Sequence, residues 1–115
     1  MPTKSVVVKR ISDIKDIPTA HGLGYKRVLV GGNDTDTPIT QIAYTMLSME
    51  DVVEAHSHPT MDEHFIILSG VCDITCGEEK FLIEGGTYLY VPSGIEHRIE
   101  VKESITLITI GVATE

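Results

Sequence analysis

Turn signals recur so closely along this chain that no amphipathic helix of ordinary length fits between them. The segments they leave are short and rich in Val, Ile, Thr and Tyr, at residues 6–9, 26–30, 39–47, 53–58, 63–69, 71–76, 80–84, 87–91, 97–101 and 105–112. Gly31-Gly32-Asn33-Asp34 reads as a loop, and Ser69-Gly70, Cys76-Gly77-Glu78-Glu79 and Glu84-Gly85-Gly86 as hairpin turns. Ile11, Ile14 and Ile17 recur at every third position, which permits one short helical turn before Pro18. Strands this short, with turns at this density, predict an all-β antiparallel sandwich or barrel.

Length and charge narrow the class. The 115 residues make one domain, 1–115, and folding buries roughly two-thirds of the extended chain's surface, a core that needs no disulfide. Cys72 and Cys76 are separated by roughly 13 Å along one strand-like run, too far for a bridge. They also lack two further partners at zinc-like spacing, so they read as free, half-buried strand thiols of a reducing compartment. Seventeen acids against nine bases give a net charge of −8 with no Lys/Arg cluster, which argues against a nucleic-acid partner. Wholly apolar runs such as Phe65-Ile66-Ile67-Leu68 are far too short to span a membrane, and the first ten residues hold too short an apolar stretch for a signal peptide. The expectation is a cytoplasmic domain without a membrane partner.

Two runs depart from strict alternation. Phe65-Ile66-Ile67-Leu68 and Leu107-Ile108-Thr109-Ile110 are apolar on both faces, so each should be covered on both sides. A small sandwich covers only the inner face. The outer one falls to the N-terminal segment or to a second subunit, and a homodimer through the outer sheet face is the favoured expectation.

The chemistry concentrates in His56, His58, Glu63 and His97. Side chains alternate across a strand, so the pair in His56-Ser57-His58 would share one side. Glu63 shares a face with Phe65 and Ile67, beside core residues, where a carboxylate is unfavourable unless paired or metal-bound. Asp62 has the opposite parity and should point to solvent, and His64 should lie on the outer face by the same rule. His97 opens a later strand after Pro92-Ser93-Gly94. Three imidazoles and a carboxylate form a ligand set for a divalent transition metal. Among other residues, His21 in a Gly-rich loop reads as solvated, and Glu54, on the parity of His56, as a surface charge near the site. Lys26 and Arg27 could meet an anionic substrate, while Tyr44 and Tyr90 read as packing residues before pocket hydroxyls.

In combination these residues resemble both signature motifs of the cupin superfamily. The first is His56, His58, Glu63 and Gly70; the second is Gly86, Pro92, Gly94 and His97. The resemblance covers roughly residues 50–101, after N-terminal strands within 1–47, and its short inter-motif stretch is similar to that of compact single-domain cupins. Glu50 stands where the first motif usually opens with Gly, and Val101 where the second often closes with Asn. The resemblance implies an antiparallel double-stranded β-helix, or jelly-roll barrel, with Fe, Mn, Ni, Co or Zn held inside by His56, His58, Glu63 and His97. It also implies a small-molecule substrate or ligand. Oxidative cleavage of an oxygen-rich compound by a dioxygenase is slightly favoured over non-redox isomerisation of a sugar or keto acid, and over ligand binding without catalysis. No catalytic acid or base is assigned.

Overall fold

The computed structural model describes residues 5–115; residues 1–4 of the expected domain lie outside the described residues. A 3-10 turn, Ile11–Asp13, precedes eight strands: β1 Ile17–Pro18, β2 Tyr25–Gly31, β3 Ile39–Leu47, β4 Val52–His56, β5 Met61–Cys76, β6 Glu79–Glu84, β7 Thr87–Val91 and β8 His97–Ala113. All pairings are antiparallel. The two longest strands, β5 and β8, pair with each other along nearly their whole length and bend together. Their bend divides the structure into two facing layers. The front sheet runs β1-β2-β3, the second half of β8, the first half of β5, then β7. The back sheet runs β4, the first half of β8, the second half of β5, then β6. The result is the expected jelly-roll barrel.

The bend corrects two of the expected hairpins. Ser69-Gly70 is a corner inside β5, where the register with β8 slips repeatedly between Ile67 and Cys72. Gly70 adopts φ +90°, and a Cβ there would run into the Ser104 carbonyl oxygen, so only glycine lets the two strands turn together. Glu84-Gly85-Gly86 is the matching corner between β6 and β7, which both pair with β5 and not with each other. Gly85 N–H donates to Gly70 O (3.1 Å) and Gly86 N–H to Ile67 O (2.7 Å), tying the corners together. Likewise 97–101 and 105–112 are one strand, β8. By contrast Cys76↔Glu79 does close a hairpin around Gly77-Glu78, with Gly77 at φ +59°.

The N-terminal expectation also changes. Residues 6–9 form no strand, because no neighbouring strand offers them a ladder, and Val6 and Val8 are almost fully exposed. Among the described N-terminal residues, only Ile17–Pro18 adds to the sheet edge.

Inward residues of the two sheets make the core. Phe65, Ile67 and Leu107 from the front meet Val53, Ile74 and Ile99 from the back. Both cysteines are free; burial pushes the Cys72 thiol up to about 11, with Asp73 adding to the shift, and raises that of Cys76 as well. The outer face of the front sheet stays open. Ile66 and Leu68 on β5 and Tyr88 and Tyr90 on β7 are exposed there, and among the described residues the N-terminal segment does not cover them. No helix among the described residues is long and apolar enough to cross a membrane.

Candidate metal centre

Both sheets contribute to one end of the barrel interior. On the back sheet, His56 is the last residue of β4 and pairs in register with His97, the first residue of β8. Between Val53 and His56 the β4–β8 register shifts by one residue. That bulge lets Val53 and His56, three positions apart, both face inward, where strict alternation would send one of them out. His58 lies beyond the strand end, so the strand expected to run to residue 58 stops two residues short. Its backbone is pinned instead by Gly94 N–H donating to His58 O (2.9 Å), which joins the Pro59 loop to the β7–β8 turn. Glu63 reaches across from the front sheet, on the inner face with Phe65 and Ile67.

The four side chains converge. The imidazole centroids lie 4.4 Å (His56–His97), 5.0 Å (His56–His58) and 5.6 Å (His58–His97) apart, and one ligand atom from each of the four residues falls within 4.8 Å of all the others. Local hydrogen bonds set the ring tautomers. His56 Nδ1 sits 2.9 Å from Glu54 O and His97 Nδ1 3.1 Å from Ile95 O. A carbonyl only accepts, so each Nδ1 is the protonated nitrogen and each neutral ring leaves its Nε2 as a lone pair. This is the outer support that metal-binding histidines ordinarily have.

Glu63 completes the pattern. Its Oε1 is 3.0 Å from His58 Nε2 and 3.2 Å from His97 Nε2, yet this buried oxygen satisfies no hydrogen bond. With His97 in the tautomer that Ile95 imposes, the carboxylate and ring lone pairs face one another, an arrangement that calls for a shared cation. Burial alone would raise the Glu63 carboxyl pKa, but the His97 contact and the nearby His58, His97 and His56 charges outweigh it and hold the group below the usual range. Burial works to lower the His97 value, while the Glu63 contact and the Ile95 carbonyl raise it on balance. A donor set of three imidazoles and one carboxylate, with an orphaned oxygen at its centre, fits a divalent transition metal.

The remaining expectations sort by face. Asp62 stays outside the cluster, accepting from Ser93 N–H (2.8 Å) and from the Tyr90 hydroxyl (3.1 Å). His64 lies on the outer face, with the rings of Tyr88 and Tyr90 stacked on it at 5.9 and 5.1 Å. Neither Tyr44 nor Tyr90 lines the interior; Tyr44 lies under the Arg27 guanidinium, 6.0 Å from its ring centroid, and Arg27 pairs with Asp16. Glu54 is strongly exposed at the cavity edge and faces Arg98 at 3.8 Å.

A cavity of about 760 Å³ opens from the cluster along the inner face of β2 and β3. His21, read as solvated, lies at its mouth, with Nδ1 3.1 Å from the Thr19 hydroxyl. Its pKa is lowered by burial of the ring, then by His56 and Lys26. Gln41 and Thr45 also line the cavity and were missed. The signal for them was present: Gln41, Ala43 and Thr45 alternate on the inner face of β3, where an ordinary core strand would carry three apolar residues.

Residues 44–111 match the family model described as Cupin domain, and the chain belongs to the cupin family. Solved structures with the same fold include a predicted oxalate decarboxylase from Thermotoga maritima (TM-score 0.82, 20% identity, covering 93% of this chain and 99% of that one). Ectoine synthase from P. lautus is similar at TM-score 0.81 and 16% identity over 93% of this chain and 78% of that one. KdgF from a Halomonas species follows at TM-score 0.73 and 14% identity, over 90% and 91%. Among curated proteins, the xanthan biosynthesis protein XanB of Xanthomonas campestris is 33% identical over 60 residues, 52% of this chain; the matched stretch is 12% of that relative's length.

Proposed function

We propose that this protein is a metal-dependent enzyme acting on an oxygen-rich small molecule, with His56, His58, Glu63 and His97 as the metal ligands. The observation that carries the reading is the buried Glu63 Oε1, unsatisfied and lodged against two imidazole Nε2 atoms at the head of an open cavity. A divalent metal held there would supply a Lewis acid and, as iron, a redox centre. The protein's own share is structural. Glu54 and Ile95 carbonyls hold two rings in the ligating tautomer, and Phe65 and Leu107 form an apolar wall that thins water around the site. Enzymes named as a predicted oxalate decarboxylase and an ectoine synthase share the fold, which supports a small-molecule substrate.

Elemental analysis of protein purified without chelator or affinity metal tests the centre directly. Near one Fe, Mn, Ni, Co or Zn per subunit is the expected result; no metal, with none taken up on soaking, overturns the reading and leaves a binding barrel. The oxidative reading, a dioxygenase-like cleavage, requires turnover that stops under argon, whereas isomerisation continues.

For assembly, we propose that the outer face of the front sheet pairs with a second copy of the chain. Ile66 lies between Ile108 and Tyr88 in register, beside exposed Leu68 and Tyr90. None of these side chains is charged at neutral pH, so two copies of a protein with net charge −8 can meet there without like charges at the centre.

A further inference from the structure

The cavity has a second pole opposite the metal ligands. Lys26 sits on the inner face of β2, paired in register with buried Thr45, whereas its neighbour Arg27 faces out. Its Nζ donates to Gln41 Oε1 at 2.7 Å. Gln41, Gly111 and Glu63 lie in one row across β3, β8 and β5, so the Cα atoms of Gln41 and Glu63 are two strand spacings, about 10 Å, apart. Ala43, completely buried between Thr45 and Gln41, is small enough to let the lysine stem lie along β3. Lys26 is therefore held over the same row as a proposed metal ligand, with the cavity between them.

Among the bases carried on the described strands, Lys26 stands apart. Arg27, Lys80, Lys102 and Arg98 each face a carboxylate. Among the described residues no carboxylate lies within ion-pair distance of Lys26; its one side-chain partner is a neutral amide. An ammonium facing a partly apolar cavity without a counter-ion is set to receive an anion from solution. Thr45 and Thr109 line the space between the poles with hydroxyls, and Phe65 and Leu107 with apolar surface.

We propose that Lys26, positioned by Gln41, is the substrate-anion anchor of this site, and that the substrate is a small carboxylic acid a few atoms long carrying a second oxygen function. Its carboxylate meets Lys26 while the other oxygen function reaches the metal ligands' end of the cavity. This inference rests on the metal-centre reading above and adds the substrate class to it.

The experiment loads wild type, Lys26→Met and Lys26→Arg with Co2+ and follows the cobalt absorption spectrum during titration. Malonate and succinate serve as two-ended acids, and acetohydroxamic acid as a metal chelator with no distal anion. Loss of one charge-assisted hydrogen bond should weaken malonate or succinate binding by about 10- to 100-fold in Lys26→Met. Cobalt content and acetohydroxamate affinity should stay within about twofold, and Lys26→Arg should recover most of the acid affinity. Equal acid affinity in wild type and Lys26→Met overturns the anchor, as does failure of cobalt-loaded wild type to bind either acid. A parallel loss of acetohydroxamate binding also overturns it, by assigning Lys26 to the architecture of the cavity. If wild type takes up no Co2+, the metal-centre reading fails and the two-ended recognition fails with it.

Discussion

The two faces of β5 set side by side residues of similar type in opposite circumstances. Glu63, Phe65 and Ile67 point inward, where Ile67 is fully buried and Phe65 4% exposed; on the other side Ile66 and Leu68 are 37% and 49% exposed. Two histidines make the contrast chemical. His97, inside, has its Nδ1 against a backbone carbonyl, which fixes the tautomer and commits Nε2 to the cluster. His64, outside, has its Nδ1 2.7 Å from the Tyr88 hydroxyl, which can donate or accept, so nothing commits its ring. The same residue type becomes a ligand candidate on one face and part of an aromatic surface on the other. What separates them is the rigidity and polarity of the partner, not distance along the chain.

The largest expected effect comes from breaking the packing contrast. Ile67→Ala should cost about 2–5 kcal/mol in urea unfolding, and Ile66→Ala about half of that or less at low protein concentration. Equal losses would mean that the outer face is as enclosed as the inner one. Next, His97→Ala or His58→Ala should weaken metal binding by more than about 100-fold while leaving a folded barrel, and His64→Ala should leave it unchanged. Full metal retention in His58→Ala would remove that residue from the ligand set. For the outer face, light scattering should give twice the 12.6 kDa chain mass. Ile66→Glu should weaken that association by about tenfold or more, because it buries an unpaired charge at the proposed interface. A monomeric wild type sinks the dimer.

The smallest effect is a reversal of pH dependence. In metal-free protein the lowered Glu63 pKa contributes stability that is present above 4.5 and lost as pH falls through its folded value. The raised His97 pKa contributes stability that is present below 6.5 and lost as pH rises through its folded value. In metal-free His21→Asn protein, where the opposing contribution of the lowered His21 pKa is removed, the melting temperature should therefore decline from about pH 6 to about pH 8. Metal-loaded protein should show the opposite slope, because metal must displace the His97 proton. Calorimetry with and without chelator checks both signs, and parallel slopes would deny that metal and proton compete at this cluster.

Parity arguments from sequence succeeded wherever one strand stayed regular. Glu63, Phe65 and Ile67 inside, and Asp62 and His64 away from the cluster, follow from strict alternation along β5. The rule alone does not place β4: the one-residue bulge before His56 lets Val53 and His56 both face inward, while Glu54 lies at the surface as expected. It also could not distinguish a hairpin at Gly70 from a corner. That depends on which strand the following residues pair with, and here β5 carries on beside β8. The strand expected at 6–9 failed for a related reason: β-propensity describes a residue's fit to a ladder, and no ladder is available there.

By itself, the sequence determined the all-β class, the four converging ligand candidates and the apolar residues on the outer side of β5 and β8, because residue type and short-range periodicity suffice for each. Tertiary structure decided how those pieces meet. It joined four predicted strands into two long bent ones, set His56 opposite His97 through a bulge, and brought Lys26 over the row that holds Glu63. Those outcomes depend on register between strands far apart in the chain, which hydrogen bonding across the sheets selects and local sequence does not encode.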